Sequence, residues 1–330
     1  MDDHGTTFDE IAKRAIDDYA IGKSHLTFLR HSDNVTYKVK DSSGITYLLR
    51  VHSPITEAMG HHGDDEQVVN SELLWLEALS RETDLILQKP VRNQYGDLVT
   101  KILDEETGIP YNCTLLHWVN GQDYYRDLET EDTAYQIGEI LAKLHNHAQQ
   151  WRIPENFKRP KRDIAYFENV LKGLHPAVED GRISFSDYHE FERSITILSD
   201  IMRSMQASRQ NIRIIHADPH KGNMLYHEGS IRLIDFSFCA FGPYMFDLAI
   251  CFSDMKECLH RTCLQGYQSL RSLPDDCQQL IEGFFIGSII GTFSYWVSNP
   301  QAQDVLARKV PEIAQDFARK FNQGDHFWFA

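Results

Sequence analysis

The segment His216-Ala217-Asp218-Pro219-His220-Lys221-Gly222-Asn223, followed by Ile234-Asp235-Phe236, sets three oxygen-bearing side chains at a spacing suited to phosphoryl transfer. Moving a phosphoryl group from ATP to a hydroxyl needs a carboxylate to orient the hydroxyl and take its proton, and further oxygen ligands to hold magnesium against the phosphates. Asp218, Asn223 and Asp235 can supply all three. Taken singly, Asp218 reads as a turn or capping aspartate and Asn223 as a residue tolerating a left-handed conformation after Gly222. Asp235, arriving in register, turns a common spacing into a chemical one. The flanking pattern agrees: Ile212–Ile215 is a short apolar run ending at the first segment, and Ser230–Ile234 alternates into Asp235 after the turn His227-Glu228-Gly229. Both segments are expected at strand ends, on loops held by one hairpin.

His-x-Asp-x-x-x-x-Asn, a hairpin and then Ile-Asp-Phe resemble the catalytic and metal-binding loops of the aminoglycoside phosphotransferase and choline kinase family, a branch of the protein-kinase-like fold. The resemblance covers about residues 26–260 and is strongest over 212–250. It implies that Asp218 is the catalytic base, that Asn223 and Asp235 ligate magnesium, and that His216 organises the loop. It implies ATP and Mg2+ as cofactors. The implied fold is α+β and bilobal. Residues 1–118 would form a small lobe with an antiparallel sheet and one main helix, and residues 119–330 a larger, mainly helical lobe, with a hinge at 117–121.

The first third of the chain carries elements of the right kind. Phe8–Ile16 has helical apolar spacing. Leu26–Leu29, Val35–Val39 and Ile45–Val51 read as a three-strand meander, and Tyr95–Thr100 and Tyr111–Leu116 extend it to an antiparallel sheet of about five strands. By the resemblance, Ser32 and Asn34 in the polar loop His31-Ser32-Asp33-Asn34 lie over the ATP phosphates, although the glycine-rich signature of protein kinases is absent. Arg50 falls where such folds carry a phosphate-binding lysine, and its planar fork differs from a compact ammonium. Lys38 and Lys40 are alternative cations. Glu72, on the amphipathic helix Val68–Leu79, would pair with Arg50, and the backbones of His117 and Val119 would hold adenine. The mixed acid and histidine run Met59–Glu66 reads as a loop, since a metal site needs ligands converging on a rigid support.

After Gly121 the pattern becomes helical. Thr133–His145 reads as the central helix of the larger lobe, with His145 a partly buried packing residue. Asp247 resembles the family's buried aspartate that holds the catalytic loop, and Lys221 reads as a phosphate contact or an exposed loop lysine. Phe327-Trp328-Phe329 reads as a docking cluster or an oligomer contact, so oligomeric state stays open.

Composition narrows the class. At 330 residues, 42% hydrophobic and 25% charged, the chain is an ordinary globular protein long enough for two lobes. A net charge of −15 argues against nucleic acid or an anionic membrane as partner and favours a cationic substrate. The basic cluster Lys158-Arg159-Pro160-Lys161-Arg162 reads as a solvated loop face. Phe284–Val297 is apolar but shorter than the roughly 20 residues of a membrane span. Six cysteines without a Cys-x-x-Cys pair read as reduced, buried thiols, and the N-terminus has no signal-peptide pattern, so a cytoplasmic location is expected. The leading expectation is an ATP-dependent kinase of a small-molecule hydroxyl, an amino alcohol, amino acid or aminoglycoside-like acceptor. A bacterial stress-type protein Ser/Thr kinase and a nucleotide-binding pseudokinase or interaction module are the alternatives.

Overall fold

A computed structural model describes residues 4–32, 34–52, 63–207 and 212–329. Its contacts divide the chain into two compact units: residues 1–122 with 152–159 and 232–238, and residues 123–151 with 160–231 and 239–330. The first unit therefore runs past position 118 and takes in two segments remote in sequence.

In the first unit, α1 (His4–Asp17) packs on a sheet whose strands are β1 (Ser24–His31), β2 (Asn34–Asp41), β3 (Thr46–His52), then, after α2 (Glu66–Glu82), β4 (Pro90–Val91), β5 (Thr100–Leu103) and β6 (Pro110–His117). The sheet has six strands in the order β1-β2-β3-β6-β4, with β5 also on β6, and every pairing is antiparallel. Side chains alternate across it. Val35, Tyr37 and Val39 join Ile11, Ala12, Ala15 and Ile16 of α1 in the core; Thr36, Lys38 and Lys40 take the opposite face. The expected strand from Tyr95 begins instead at Thr100. The Asn93 side chain accepts from the amides of Tyr95 and Asp97, and Gly96 adopts φ 91°, so this stretch is a turn.

Helix α2 starts where Asp65 accepts from the amides of Gln67 and Val68. Its buried face carries Val68, Leu73, Trp75, Leu76 and Leu79, together with Glu72. Arg159 ties the remote segments to it, with one guanidinium nitrogen donating to Val68 O at 3.0 Å and another to Ser237 O. The basic cluster is thus a solvated face only at its lysines: Arg159 is 7% and Arg162 6% exposed, whereas Lys158 and Lys161 are exposed. Arg162 lies over the Tyr166 ring.

The second unit follows β7 (Gln122–Asp123) with α3 (Glu131–Gln150), α4 (Ile164–Lys172), α5 (His175–Glu179), α6 (Phe185–Ala207), β8 (Ile212–Ile215), β9 (Met224–His227), β10 (Ser230–Leu233), β11 (Ala240–Pro243), α7 (Tyr244–Phe252), α8 (His260–Gln268), α9 (Cys277–Val297), α10 (Gln303–Ile313) and α11 (Arg319–Gln323). Thr130 and Thr133 form a capping box at the start of α3. Helices α3 and α8 approach so closely that a Cβ on Gly138 would lie 2.0 Å from Cys263 O, and one on Gly266 2.0 Å from Tyr135 O. Only glycine permits that contact. Helix α9 has 21 residues, longer than the apolar stretch suggested, and passes a membrane span's test of length and apolarity. Ten of its residues, including Phe284, Ile286 and Phe293, are buried, so it serves as a core helix of this unit.

The C-terminal aromatic cluster docks on the same unit. Glu282, 1% exposed on α9, accepts from the amides of Phe327 and Trp328 at 2.8 Å each and pairs with His326. All six cysteines are free thiols, and Cys258, against expectation, is exposed.

Candidate active site

Asp218 follows β8, which pairs with β11 and not with the hairpin expected to hold it. The β9–β10 hairpin closes on Glu228 and Gly229, both at positive φ (49° and 85°), the conformation that a two-residue turn between twisted strands requires. Asn223 precedes β9 and Asp235 follows β10.

The turn into Asp218 is held from beneath. Ala217 has φ 64°, a left-handed conformation unusual for a residue with a side chain. Asp247, fully buried, accepts from the His216 amide at 3.0 Å and the Ala217 amide at 2.7 Å. It also accepts from His145 Nε2 at 3.0 Å, while His145 Nδ1 takes the Tyr267 hydroxyl at 2.8 Å. Burial pushes the His145 pKa down, outweighing the pull of Asp247, so the ring is neutral and its single proton sits on Nε2. His145 is therefore fully buried and part of a hydrogen-bonded support, more than the packing residue the pattern suggested. His216, also at 0% exposure, accepts the Asp218 amide on Nδ1 at 3.2 Å.

Within the loop, Asn223 Nδ2 donates to Asp218 O at 2.9 Å and to Asp218 Oδ2 at 2.8 Å. The amide nitrogen is thereby committed, and the Asn223 carbonyl oxygen is the atom that can meet a cation. His220 Nδ1 accepts from the Gly222 amide, so its proton lies on Nε2, 3.5 Å from Asp218 Oδ2. Both neighbours act on the same carboxylate oxygen. Lys221 proves neither a phosphate contact nor an exposed lysine: its Nζ lies 2.6 Å from Glu129 Oε1, a carboxylate 1% exposed. Glu129 also accepts from the Lys256 amide, and the Lys221 amide donates to Asp254.

In the first unit, Arg50 Nη2 meets Glu72 Oε1 at 2.7 Å, with both side chains nearly inaccessible. Arg50 Nη1 lies 3.8 Å from Asp235 Oδ1, and Arg30 Nη2 lies 3.7 Å from Asp235 Oδ2. Asp235 has φ 61°, and its amide donates to Gln88 Oε1 at 2.9 Å. Ser237 completes the loop, its hydroxyl donating to Asp235 Oδ1 at 2.7 Å. Phe236 is fully buried edge-on against Trp75 of α2. Burial pushes the Asp235 carboxyl up, but Arg50, the Ser237 hydroxyl and amide, and Arg30 together hold it below the usual carboxylate range. It is held in its ionised form.

Ser32 is exposed, its amide donating to the carbonyl of Asn34, which is buried; Asp33 lies outside the described residues. The His117 amide donates to Lys89 O at 2.8 Å, and Val119 is buried. Lys38 sits over the Trp118 ring, 4.5 Å from its centre, and Lys40 is exposed. Residues 53–62, including His61 and His62, lie outside the described residues, and among those described no group of three or more His, Cys, Asp or Glu could hold a metal. The Asp235 carboxylate, in the first unit, and the Asn223 carbonyl, in the second, each offer a hard oxygen of the type magnesium prefers. Arg30, Arg159 and Gln88 had no signal in the sequence. Each acts across a long chain separation, and Arg30 depends on a strand irregularity.

Comparisons with known proteins agree with this chemistry. Residues 25–273 match the phosphotransferase enzyme family APH. Amicoumacin kinase of Bacillus subtilis (strain 168) is 22% identical over 244 residues, which span 73% of this chain and 66% of that protein. Homoserine kinase of Neisseria meningitidis serogroup B is 25% identical over 201 residues, 56% of this chain and 60% of that one. The matched segments thus span about two thirds or less of these relatives' own lengths. Among solved structures, the microcompartment-associated aminopropanol kinase aligns over 97% of this chain and 99% of its own, with a TM-score of 0.77 at 22% identity. An amicoumacin kinase in complex with AMP-PNP, Ca2+ and Ami aligns over 96% and 94%, with a TM-score of 0.71 at 19% identity. These likenesses establish the kinase-like fold, and the match over residues 25–273 establishes that the chain belongs to the phosphotransferase enzyme family APH.

Proposed function

We propose that this protein is an ATP- and Mg2+-dependent kinase that transfers the γ-phosphate to a hydroxyl of a small molecule, an amino alcohol, amino acid or aminoglycoside-like compound. The observation that carries this reading is the clamp on Asp218. Asn223 and His220 both lie on Oδ2, which leaves Oδ1 to meet the acceptor. In this reading Asp218 Oδ1 orients the hydroxyl and accepts its proton as the oxygen bonds to the γ-phosphorus and the bond to ADP breaks. Asp247, by fixing the amides of His216 and Ala217, keeps that carboxylate in position. When bound, Mg2+ would neutralise phosphate charge, with Asn223 and Asp235 as the residues that hold it. Arg50, fixed by Glu72, adds positive charge on the nucleotide. Ser32 and Asn34 cover the phosphates, and the backbones of His117 and Val119 hold the base. Family membership, the small-molecule kinases among the relatives, and a neighbour bound to an ATP analogue and a divalent cation support the reading. A cytoplasmic location follows from ATP as donor, and the acidic surface favours a cationic acceptor.

The test is ATP turnover over a panel of amino alcohols, amino acids, aminoglycosides and generic protein substrates. Acceptor-dependent ADP formation with a small molecule is expected. Binding of ATP without phosphorylation of any acceptor would favour a nucleotide-binding module, and transfer confined to proteins would favour a protein kinase.

A further inference from the structure

Arg50 stands where the fold usually carries its phosphate-binding lysine, and its charge is shared between two carboxylates. It is 4% exposed on the side chain, 2.7 Å from Glu72 and 3.8 Å from Asp235. One guanidinium between two carboxylates leaves the local sum at −1. Apart from Mg2+, which Asp235 would help hold, the triphosphate therefore gains from a second protein cation.

Strand β1 supplies one through a break in its register. Phe28 pairs with Tyr37, but Arg30 pairs with Thr36, so Leu29 is an extra residue without a partner on β2. In a regular ladder Arg30 would stand with Phe28 on the face of Tyr37 and Val35, against the α1 core. The bulge moves it to the other face, because a one-residue insertion reverses every side chain beyond it. There Arg30, Thr36 and Arg50 form one row across three strands, since Thr36 pairs with Arg50. The Arg30 guanidinium ends 3.7 Å from Asp235 Oδ2 and its side chain is 63% exposed. Both guanidinium–carboxylate separations at Asp235 exceed hydrogen-bond length. Among the described residues Arg30 accordingly has an electrostatic neighbour but no committed acceptor for its planar fork, which suits phosphate oxygens.

We propose that Arg30 is a phosphate-contacting residue of the nucleotide site, a second cation that the β1 bulge places beside Arg50 for the terminal phosphates of ATP. This rests on the ATP reading above. Arg30 brings the local sum from −1 to zero and adds a guanidinium with no carboxylate at hydrogen-bond distance, and Asp235 holds it near the phosphates before nucleotide arrives.

The experiment is calorimetric binding of ATP and AMP, each with Mg2+, to the wild-type protein, Arg30→Ala and Arg30→Lys. Arg30→Ala is expected to weaken ATP by about ten- to a hundredfold, the value of a charge-assisted contact, while AMP changes by less than about twofold. Arg30→Lys should fall between, keeping the charge and losing the fork. Equal factors for ATP and AMP, or no change in either, would overturn the proposal. A fall in melting temperature with parallel loss of both nucleotides would likewise show a structural role. If the wild type fails to bind ATP, the kinase reading itself fails; normal wild-type binding with an unaffected Arg30→Ala sinks only the role of Arg30.

Discussion

One buried carboxylate, Asp247, decides the shape of the turn that presents Asp218. It accepts from the amides of His216 and Ala217 and from His145, and so balances the left-handed backbone at Ala217. Replacing Asp247 with alanine would leave two buried amides and a histidine without their acceptor. The expected result is a stability loss of about 3 kcal/mol or more, at roughly 1–3 kcal/mol per orphaned group. Thermal denaturation measures the loss, and faster hydrogen exchange at the 216 and 217 amides locates it; unchanged exchange there would contradict the role. Lys221 makes a second residue-scale test, since its partner Glu129 is 1% exposed. Lys221→Met should destabilise the fold by about 3–5 kcal/mol, the cost of stranding a buried charge, while leaving the KM for ATP unchanged. A selective rise in that KM without loss of stability would return Lys221 to the phosphates.

At the scale of elements, what could be read in the sequence was local. Asp218, Asn223 and Asp235 lie within 18 positions, and the turn at Glu228-Gly229 and the caps at Asp65 and Thr130 write their geometry in neighbouring residue types. Helices α1, α2 and α3 follow from apolar spacing for the same reason. What escaped the sequence depends on distant partners. Arg159 is buried because Val68 O and Ser237 O receive it, and nothing within Lys158–Arg162 distinguishes it from a solvated arginine. The β1 bulge is visible only in the register with β2. The strand expected at Tyr95 gave way to Asn93, whose side chain offers the backbone a turn instead. The C-terminal latch belongs to this scale too. Glu282→Ala removes the acceptor of the Phe327 and Trp328 amides and should cost about 2–4 kcal/mol, on the order of two lost contacts to a charged group. It should also make the last residues the first site of limited proteolysis. Wild-type resistance at that end would show that the aromatic contacts alone hold it.

For the molecule as a whole, stability should depend on pH through His260. Its ring stacks on Phe252 at 4.2 Å and meets Trp328 edge-on at 5.1 Å, 1% exposed. Burial lowers its pKa from 6.5 to about 4. A histidine kept neutral in the folded state takes a proton more readily when unfolded. Its contribution is therefore complete above pH 6.5 and is lost progressively as pH falls from there toward about 4. The expected loss over that window is a few kcal/mol, because each tenfold change in proton affinity is worth about 1.4 kcal/mol. Denaturant titrations of His260→Phe should show a flatter profile between those pH values than the wild type. Parallel profiles would exclude His260 as the source.

One assay reaches both the reaction and its base. Transfer of radiolabel from γ-labelled ATP to a panel of amino alcohols, amino acids and aminoglycosides, with Mg2+, compares the wild type with Asp218→Asn, alongside nucleotide binding for each. Labelled small-molecule product is expected from the wild type, with a loss of about a hundredfold or more in kcat for Asp218→Asn and unchanged ATP affinity in that variant. Asp218→Asn turning over at the wild-type rate at saturating ATP would contradict Asp218 as the base.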